Sequence, residues 1–147
     1  MSDFVYNISK GAVAEKVRDS DSVLGMMLLQ AAEADATLKD RTDIADLLTE
    51  AGNTEATFTN YARKTALTGV ITVDNTNDRV DVDIPDQTWT AAGGGLDNTL
   101  TDLVVFYEDA AADATRVPLT NHDFATTTDG ADLIAQVNAA GFFRAAE

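Results

Sequence analysis

The one histidine of the 147-residue chain, His122, stands in Asn121-His122-Asp123, a neighbour pair that invites a general-base reading. Adjacent residues on a strand point to opposite faces, however, so His122 and Asp123 are not expected to touch, and a turn or interface histidine is expected instead. Nucleophiles are scarce. There is no cysteine, hence no thiolate, no disulfide framework and no cysteine-based zinc site. The four serines, Ser2, Ser9, Ser20 and Ser22, lie far from any glycine-rich elbow. Asp74-Asn75-Thr76-Asn77-Asp78 has the outline of a calcium loop, but Thr76 replaces an Asp or Asn and Arg79 stands where the sharp turn needs glycine. No Glu follows at the twelfth position, which excludes an EF-hand. Asp78, Asp81 and Asp83 leave room for a looser cation site, although alternating Asp on a half-buried sheet is ordinarily its solvated face. Gly93-Gly94-Gly95 runs into Leu96-Asp97 and not into Lys-Ser/Thr, so it is not a phosphate loop. These residues lead us to expect a protein that is not an enzyme, with no catalytic residue, no metal and no cofactor.

The elements that must position these residues divide into two parts. Phe4-Val5-Tyr6-Asn7-Ile8 is a β-type run suited to an edge strand or to an arm that reaches a neighbour. Asp21 can cap a helix in which Leu24, Met27, Leu28 and Ala31 recur at helical spacing, apolar nearly all round and so buried on more than one side. Thr42 can cap a second helix with Ile44, Leu47, Leu48 and Ala51 on one face, Asp43 and Asp46 at its positive end, and Gly52-Asn53 as a left-handed stop. From Thr57 onward the pattern is β. Thr65–Val73 and the strictly alternating Arg79–Ile84 flank the Asn/Asp turn as a hairpin. Pro85-Asp86 breaks the second strand and Gln87-Thr88-Trp89-Thr90 resumes it. After a flexible triglycine loop, Leu103–Tyr107 reads as a central strand, apolar on both faces. Asp129-Gly130 predicts a further tight hairpin between Phe124–Thr128 and Ala131–Val137. The expected fold is α+β: an antiparallel sheet or sandwich in the C-terminal two-thirds, with two short helices in the N-terminal third. One domain is expected over 1–147, divided into an N-terminal arm (1–20), a helical layer (21–56) and a β-rich portion (57–147).

Composition narrows the partners. Twenty-five acids against ten Lys and Arg give a net charge of −15, which argues against a nucleic-acid binder and against an electrostatic membrane anchor. Residues 65–147 carry 14 acids and 3 bases (net −11), and residues 1–64 carry 11 and 7 (net −4). That split predicts an acidic sheet facing outward and a more neutral N-terminal half towards a partner. Asp outnumbers Glu 19 to 6, beside 24 Ala and 19 Thr. Salt adaptation or a high-GC coding sequence would each produce that bias. The first twenty residues lack an apolar signal core, and the longest apolar run, Met26–Leu29, is far short of the ~20 residues of a membrane span. Synthesis in a cytoplasm is the expectation.

Several segments carry a family likeness: Phe4-Val5-Tyr6-Asn7-Ile8-Ser9-Lys10-Gly11, Glu33-Ala34-Asp35-Ala36-Thr37-Leu38, Asn60-Tyr61-Ala62-Arg63-Lys64-Thr65, Val73–Asp81, Gln87-Thr88-Trp89 and Ala140-Gly141-Phe142-Phe143-Arg144-Ala145. Together they resemble a family of small proteins encoded among the structural genes of tailed phages that infect actinobacteria. The resemblance implies a virion component, a minor capsid or decoration protein on the exterior of the assembled head, made in the host cytoplasm. Its implied partners are the major capsid protein and itself, as a homo-oligomer such as a trimer, with no nucleic acid and no membrane. A tail-associated protein is the alternative within the family, and an acidic ligand- or cation-binding domain of a salt-adapted organism is the alternative outside it. The residues expected at subunit interfaces are Phe4, Val5, Tyr6 and Ile8 of the arm, the basic pair Arg63 and Lys64, and Phe142 and Phe143. The arm and Phe142-Phe143 could instead fold back on their own domain's sheet, and Arg63-Lys64 could be a solvated pair.

Overall fold

A computed structural model describes residues 3–6, 24–108 and 110–146. The chain is mainly antiparallel β with two short helices. In order, its elements are β1 (Phe4–Val5), β2 (Leu24–Ala31), α1 (Asp35–Leu38), α2 (Ile44–Thr49), β3 (Thr54–Glu55), β4 (Lys64–Leu67), β5 (Val70–Asp74), β6 (Arg79–Asp83), β7 (Gln87–Trp89), β8 (Thr99–Glu108), β9 (Arg116–Thr127), β10 (Leu133–Ala135) and β11 (Phe143–Ala146). Among the described residues, six strands form the main sheet in the order β1-β9-β8-β2-β3, with β4 also pairing β2. Two smaller sheets, β10-β7 and β11-β6-β5, pack beside it.

The Leu24–Ala31 run is a strand and not the first predicted helix. It pairs antiparallel with β8 from Leu24 opposite Tyr107 to Leu29 opposite Asp102. The physical reason is burial on both faces. Met26 and Leu28 enter one core with Leu103 and Val105, while Met27 and Leu29 enter the other with Val104 and Phe106. A run that is apolar all round satisfies a doubly covered strand as well as a buried helix. The helices lie further along. Leu38 of α1, with Ile44 and Leu47 of α2, covers the second core. Val82, Ile84, Trp89 and Ala135 of the smaller sheets cover the first. The expected helical layer over 21–56 therefore contains the strand on which both cores are built.

Helix α2 forms where expected, with different ends. Asp43, not Thr42, is the cap: its Oδ1 accepts from the Asp46 N–H at 2.8 Å, and Asp46 Oδ2 accepts from the Thr42 N–H at 2.9 Å. Gly52 is not left-handed; the chain leaves the helix at an extended Glu50. Asn53 Nδ2 then satisfies the Leu47 carbonyl at 2.9 Å.

The expected hairpin is present as Val70–Asp74 paired with Arg79–Asp83, its turn held by Asp74 Oδ1 accepting from the Thr76 and Asn77 N–H groups. The first expected strand, Thr65–Val73, is divided, with Lys64–Leu67 pairing with β2 in the main sheet. Gln87–Trp89 does not resume that strand; it pairs with β10 in a separate sheet. The Asp129-Gly130 turn exists, with Gly130 at φ 92°, but it closes no hairpin. Its neighbours bond instead to the Ala92 turn, Gly130 N donating to Ala92 O at 2.7 Å and Ala92 N to Ala131 O at 2.9 Å. Strand β9 pairs with β8, and β10 with β7. The triglycine loop is pinned, Gly93 N to Thr59 O and Leu96 N to Thr59 Oγ1, both at 2.9 Å.

One polar group sits deep in the helix-covered core. Asp102 and Asn121 are fully buried, joined by an Asn121 Nδ2 to Asp102 Oδ1 bond of 2.7 Å. The Tyr6 ring is equally buried, and its hydroxyl has no hydrogen-bond partner among the described residues. Burial, with Asp102 and Glu33 nearby, pushes the Tyr6 phenol well above its usual range; burial, then Glu55, does the same to Tyr61. The folded pKa values are raised, so this contribution to stability is whole below about pH 10 and is lost as pH rises beyond it, by about 1.4 kcal/mol per pH unit for each phenol. Denaturant titrations across that range should show the steep alkaline decline. Tyr6→Phe should roughly halve the slope while leaving stability at pH 7 unchanged or higher, because it removes an unpaired buried hydroxyl.

Candidate functional site

A groove of about 510 Å³ lies between the main sheet and the C-terminal segment. Its floor is Met26 of β2 with Leu103 and Val105 of β8. Phe124 of β9 forms one wall, and Phe142 and Phe143 form the other. Asp3, His122, Asp123 and Arg144 stand at its rim. The far wall depends on β11 pairing with β6, Phe143 opposite Val82, and on the Phe142 N–H donating to Val82 O at 3.0 Å. Gly141, at φ 84°, turns the chain into that strand against the Val82 carbonyl.

At the rim, His122 Nε2 lies 2.9 Å from Thr120 Oγ1, and Nδ1 lies 3.3 Å from Asp3 Oδ2. The order Asp–His–Thr has the outline of a nucleophile, a base and an orienting acid. Thr120 is only 2% exposed and does not line the groove, so no substrate carbonyl can approach its hydroxyl. The arrangement works as a fastening. Asp3 Oδ1 also accepts from the Asp123 N–H at 3.0 Å, which ties the short β1 to the edge of β9. His122 and the Asp123 side chain do not pair, as their places on a strand require. Of the two partners His122 does find, Thr120 is two residues away on the same strand face, whereas Asp3 is 119 positions away and no local pattern announces it.

The expected interface residues fall into three places. Phe4 and Tyr6 pack edge to face, 5.2 Å between centroids, in the helix-covered core. Val5 packs against the other core. Ile8 lies outside the described residues. Phe142 and Phe143 are half-buried, against the first core and along the groove. Arg63 and Lys64 are elsewhere and are engaged within their own chain. The Arg63 guanidinium bonds Glu55 at 2.6 Å and Asp113 at 2.5 Å, and Asp113 in turn bonds Arg116, which pairs with Glu108. Lys64 Nζ donates to Thr88 O at 2.7 Å and sits 5.0 Å from the centre of the buried Trp89 ring. Sequence reading missed the groove's Asp3, Phe124 and Arg144 because only tertiary packing brings them together.

Two of the three cation-site residues, Asp81 and Asp83, are likewise occupied. Asp81 bonds Arg144 Nε at 2.6 Å and lies 3.3 Å from Arg79 Nε, and Asp83 Oδ1 accepts from the Ile84 N–H. Among the described residues no group of three His, Cys, Asp or Glu is placed to hold a metal.

The Arg63 network has a measurable consequence. The guanidinium holds the Asp113 carboxyl below its usual range, so the stability this pair contributes is present above about pH 4 and falls on further acidification. Arg63→Ala should cost about 2 kcal/mol, since it strands Glu55 and Asp113 in a partly buried setting. Arg63→Lys should recover only part of this because it lacks the two-pronged fork. Denaturant unfolding at neutral pH reads both.

No protein-family model, curated protein or solved structure matches the chain.

Proposed function

We propose that this chain is a non-enzymatic structural component of a tailed-phage virion, a minor capsid or decoration protein that binds the outside of the assembled head and stabilises contacts between major-capsid subunits. The observation that carries the reading is the run of family-like segments from Phe4–Gly11 through Val73–Asp81 to Ala140–Ala145, which spans the chain from end to end. The groove supports it as a contact surface. Its floor and aromatic walls are apolar, with Gln136 and Asn138 also in the lining. Its rim carries the acids Asp3 and Asp123 beside His122 and Arg144, and no hydroxyl or thiol nucleophile stands among its described lining residues. A capsid segment with an apolar side chain for the floor and a basic group for the rim has the complementary chemistry. The net charge of −15 suits a protein held away from packaged DNA.

The test uses heads of such a phage prepared without this chain. Purified protein added to expanded heads should co-sediment and saturate at a copy number fixed by the capsid lattice. Binding to tails alone would favour the tail-associated alternative. No binding to either, with a melting temperature that rises in millimolar calcium or molar salt, would favour the acidic ligand- or cation-binding domain.

A further inference from the structure

The three-stranded sheet β11-β6-β5 ends on β5, and among the described residues nothing pairs with the outer edge of that strand. Alternate N–H and C=O groups of Val70–Asp74 therefore point away from β6 without a strand to meet them. The edge carries none of the usual protection. From Val70 to Val73 there is no charge and no proline, and Val70 and Val73 are 56% and 59% exposed. One face of the sheet continues beyond the core. The cross-strand row Phe143–Val82–Ile71 packs on the first core, and the next row on the same face, Ala145–Val80–Val73, lies along an open cleft of about 430 Å³ at the hairpin tip.

We infer that β5 is the seam of a two-fold dimer, in which it pairs antiparallel with β5 of a second copy of this chain. An axis through Thr72 is the register that pairs all five residues. It sets Ile71 opposite Val73 of the partner subunit, so the covered row of each copy runs into the uncovered row of the other. Self-complementarity selects a second copy: each copy offers the same uncharged edge from Val70 to Val73, and the row that one copy leaves uncovered is the row that the other continues. Asp74 and Asp78 at the two hairpin tips are carried to opposite ends of the seam. A basic segment would find Asp74 already ion-paired with Arg79 at 3.1 Å and hydrogen-bonded by Asn77. The seam is small beside the ~800 Å² per partner of a standard interface, so the dimer is weak and reversible, with a dissociation constant on the order of micromolar or above. The inference stands on the sheet edge and does not depend on the virion reading.

Sedimentation velocity of the full chain from micromolar to millimolar concentration tests it. A reversible monomer–dimer equilibrium is expected, tightening between low salt and about 0.15 M as the repulsion between acidic copies is screened. Val73→Lys and, independently, Val73→Glu put a charge of either sign opposite Ile71 of the partner subunit and should each weaken the dimer at least tenfold without lowering the melting temperature, because Val73 is 59% exposed. Ile134→Lys, an equally exposed apolar site on β10, should leave it unchanged. A monomer over the whole concentration range overturns the inference. So does a dimer unaffected by both substitutions of Val73, or one abolished by Ile134→Lys.

Discussion

Gly25→Ala should lower stability by about 3 kcal/mol, near the upper end of what overpacking a core ordinarily costs, and the melting temperature by roughly 10 °C. Gly25 lies opposite Phe106 across the β2–β8 ladder, and the Phe106 ring lies directly over it. A β-carbon at position 25 would overlap Cζ and Cε2 of that ring and stand 2.9 Å from Cε1. The ring cannot swing away, because Phe106 is fully buried among Met27, Leu29 and Ile44 in the helix-covered core. Arg116, 5.4 Å from the ring centre, closes another side. Shrinking the ring should relieve the clash, so Gly25→Ala with Phe106→Leu should cost markedly less than the two changes summed. Thermal unfolding of the four proteins in the cycle measures that coupling.

Gly141→Ala should dismantle the wall of the groove while sparing the main sheet. Here the obstacle is backbone. A β-carbon would overlap the Val82 carbonyl oxygen, lie 2.6 Å from its carbon, and force a side chain into φ 84°. Neither obstacle can yield while β11 stays docked, because the Phe142 N–H is bonded to that same carbonyl. The cheaper response is local: residues 141–146 detach, at a cost of about 2–3 kcal/mol. Amide hydrogen exchange should show protection lost at Phe142 and along Phe143–Ala146, with β2 and β8 still protected. If the groove holds a capsid segment, the same variant should fail to bind heads while remaining folded.

Local chemistry made much of this molecule legible in its sequence. Strict alternation in Arg79–Asp83, with an Asn/Asp-rich turn before it, specifies one hairpin in one register. The doubly apolar Leu103–Tyr107 run specifies a central strand. What misleads is Leu24–Ala31, where Leu24, Met27, Leu28 and Ala31 fit a helical period although the cause of the pattern is burial on both faces of a strand. Asp129-Gly130 makes the turn it promises, but a turn cannot declare which sheet receives the strand after it. Strand β10 pairs with β7, Leu133 opposite Trp89, and both Trp89 and Ala135 reach the first core. The groove and its fastening were illegible for a simpler reason. Asp3 and His122, like Arg63 and Asp113, are joined only when distant strands become neighbours, and an ion pair leaves no spacing in the sequence.

The charge that first served to exclude nucleic acid also looks different on the folded chain. Asp81 of the acidic hairpin bonds Arg144 and lies close to Arg79, and the Arg63 and Arg116 guanidiniums are enclosed by Glu55, Asp113 and Glu108. These four arginines are engaged within their own chain. At the groove rim the exposed Asp123 keeps its negative charge beside the Asp3–His122 pair, and under the proposed function a basic complement on the head surface is the corresponding expectation.

Cryo-electron microscopy of the particle that contains this chain tests the proposal most directly. The account predicts density for the fold on the outside of the head, bridging neighbouring major-capsid subunits, with the groove beside Phe142 and Phe143 occupied by a capsid segment. Density confined to the tail, or heads fully formed and stable with no copy of the chain bound, would contradict it.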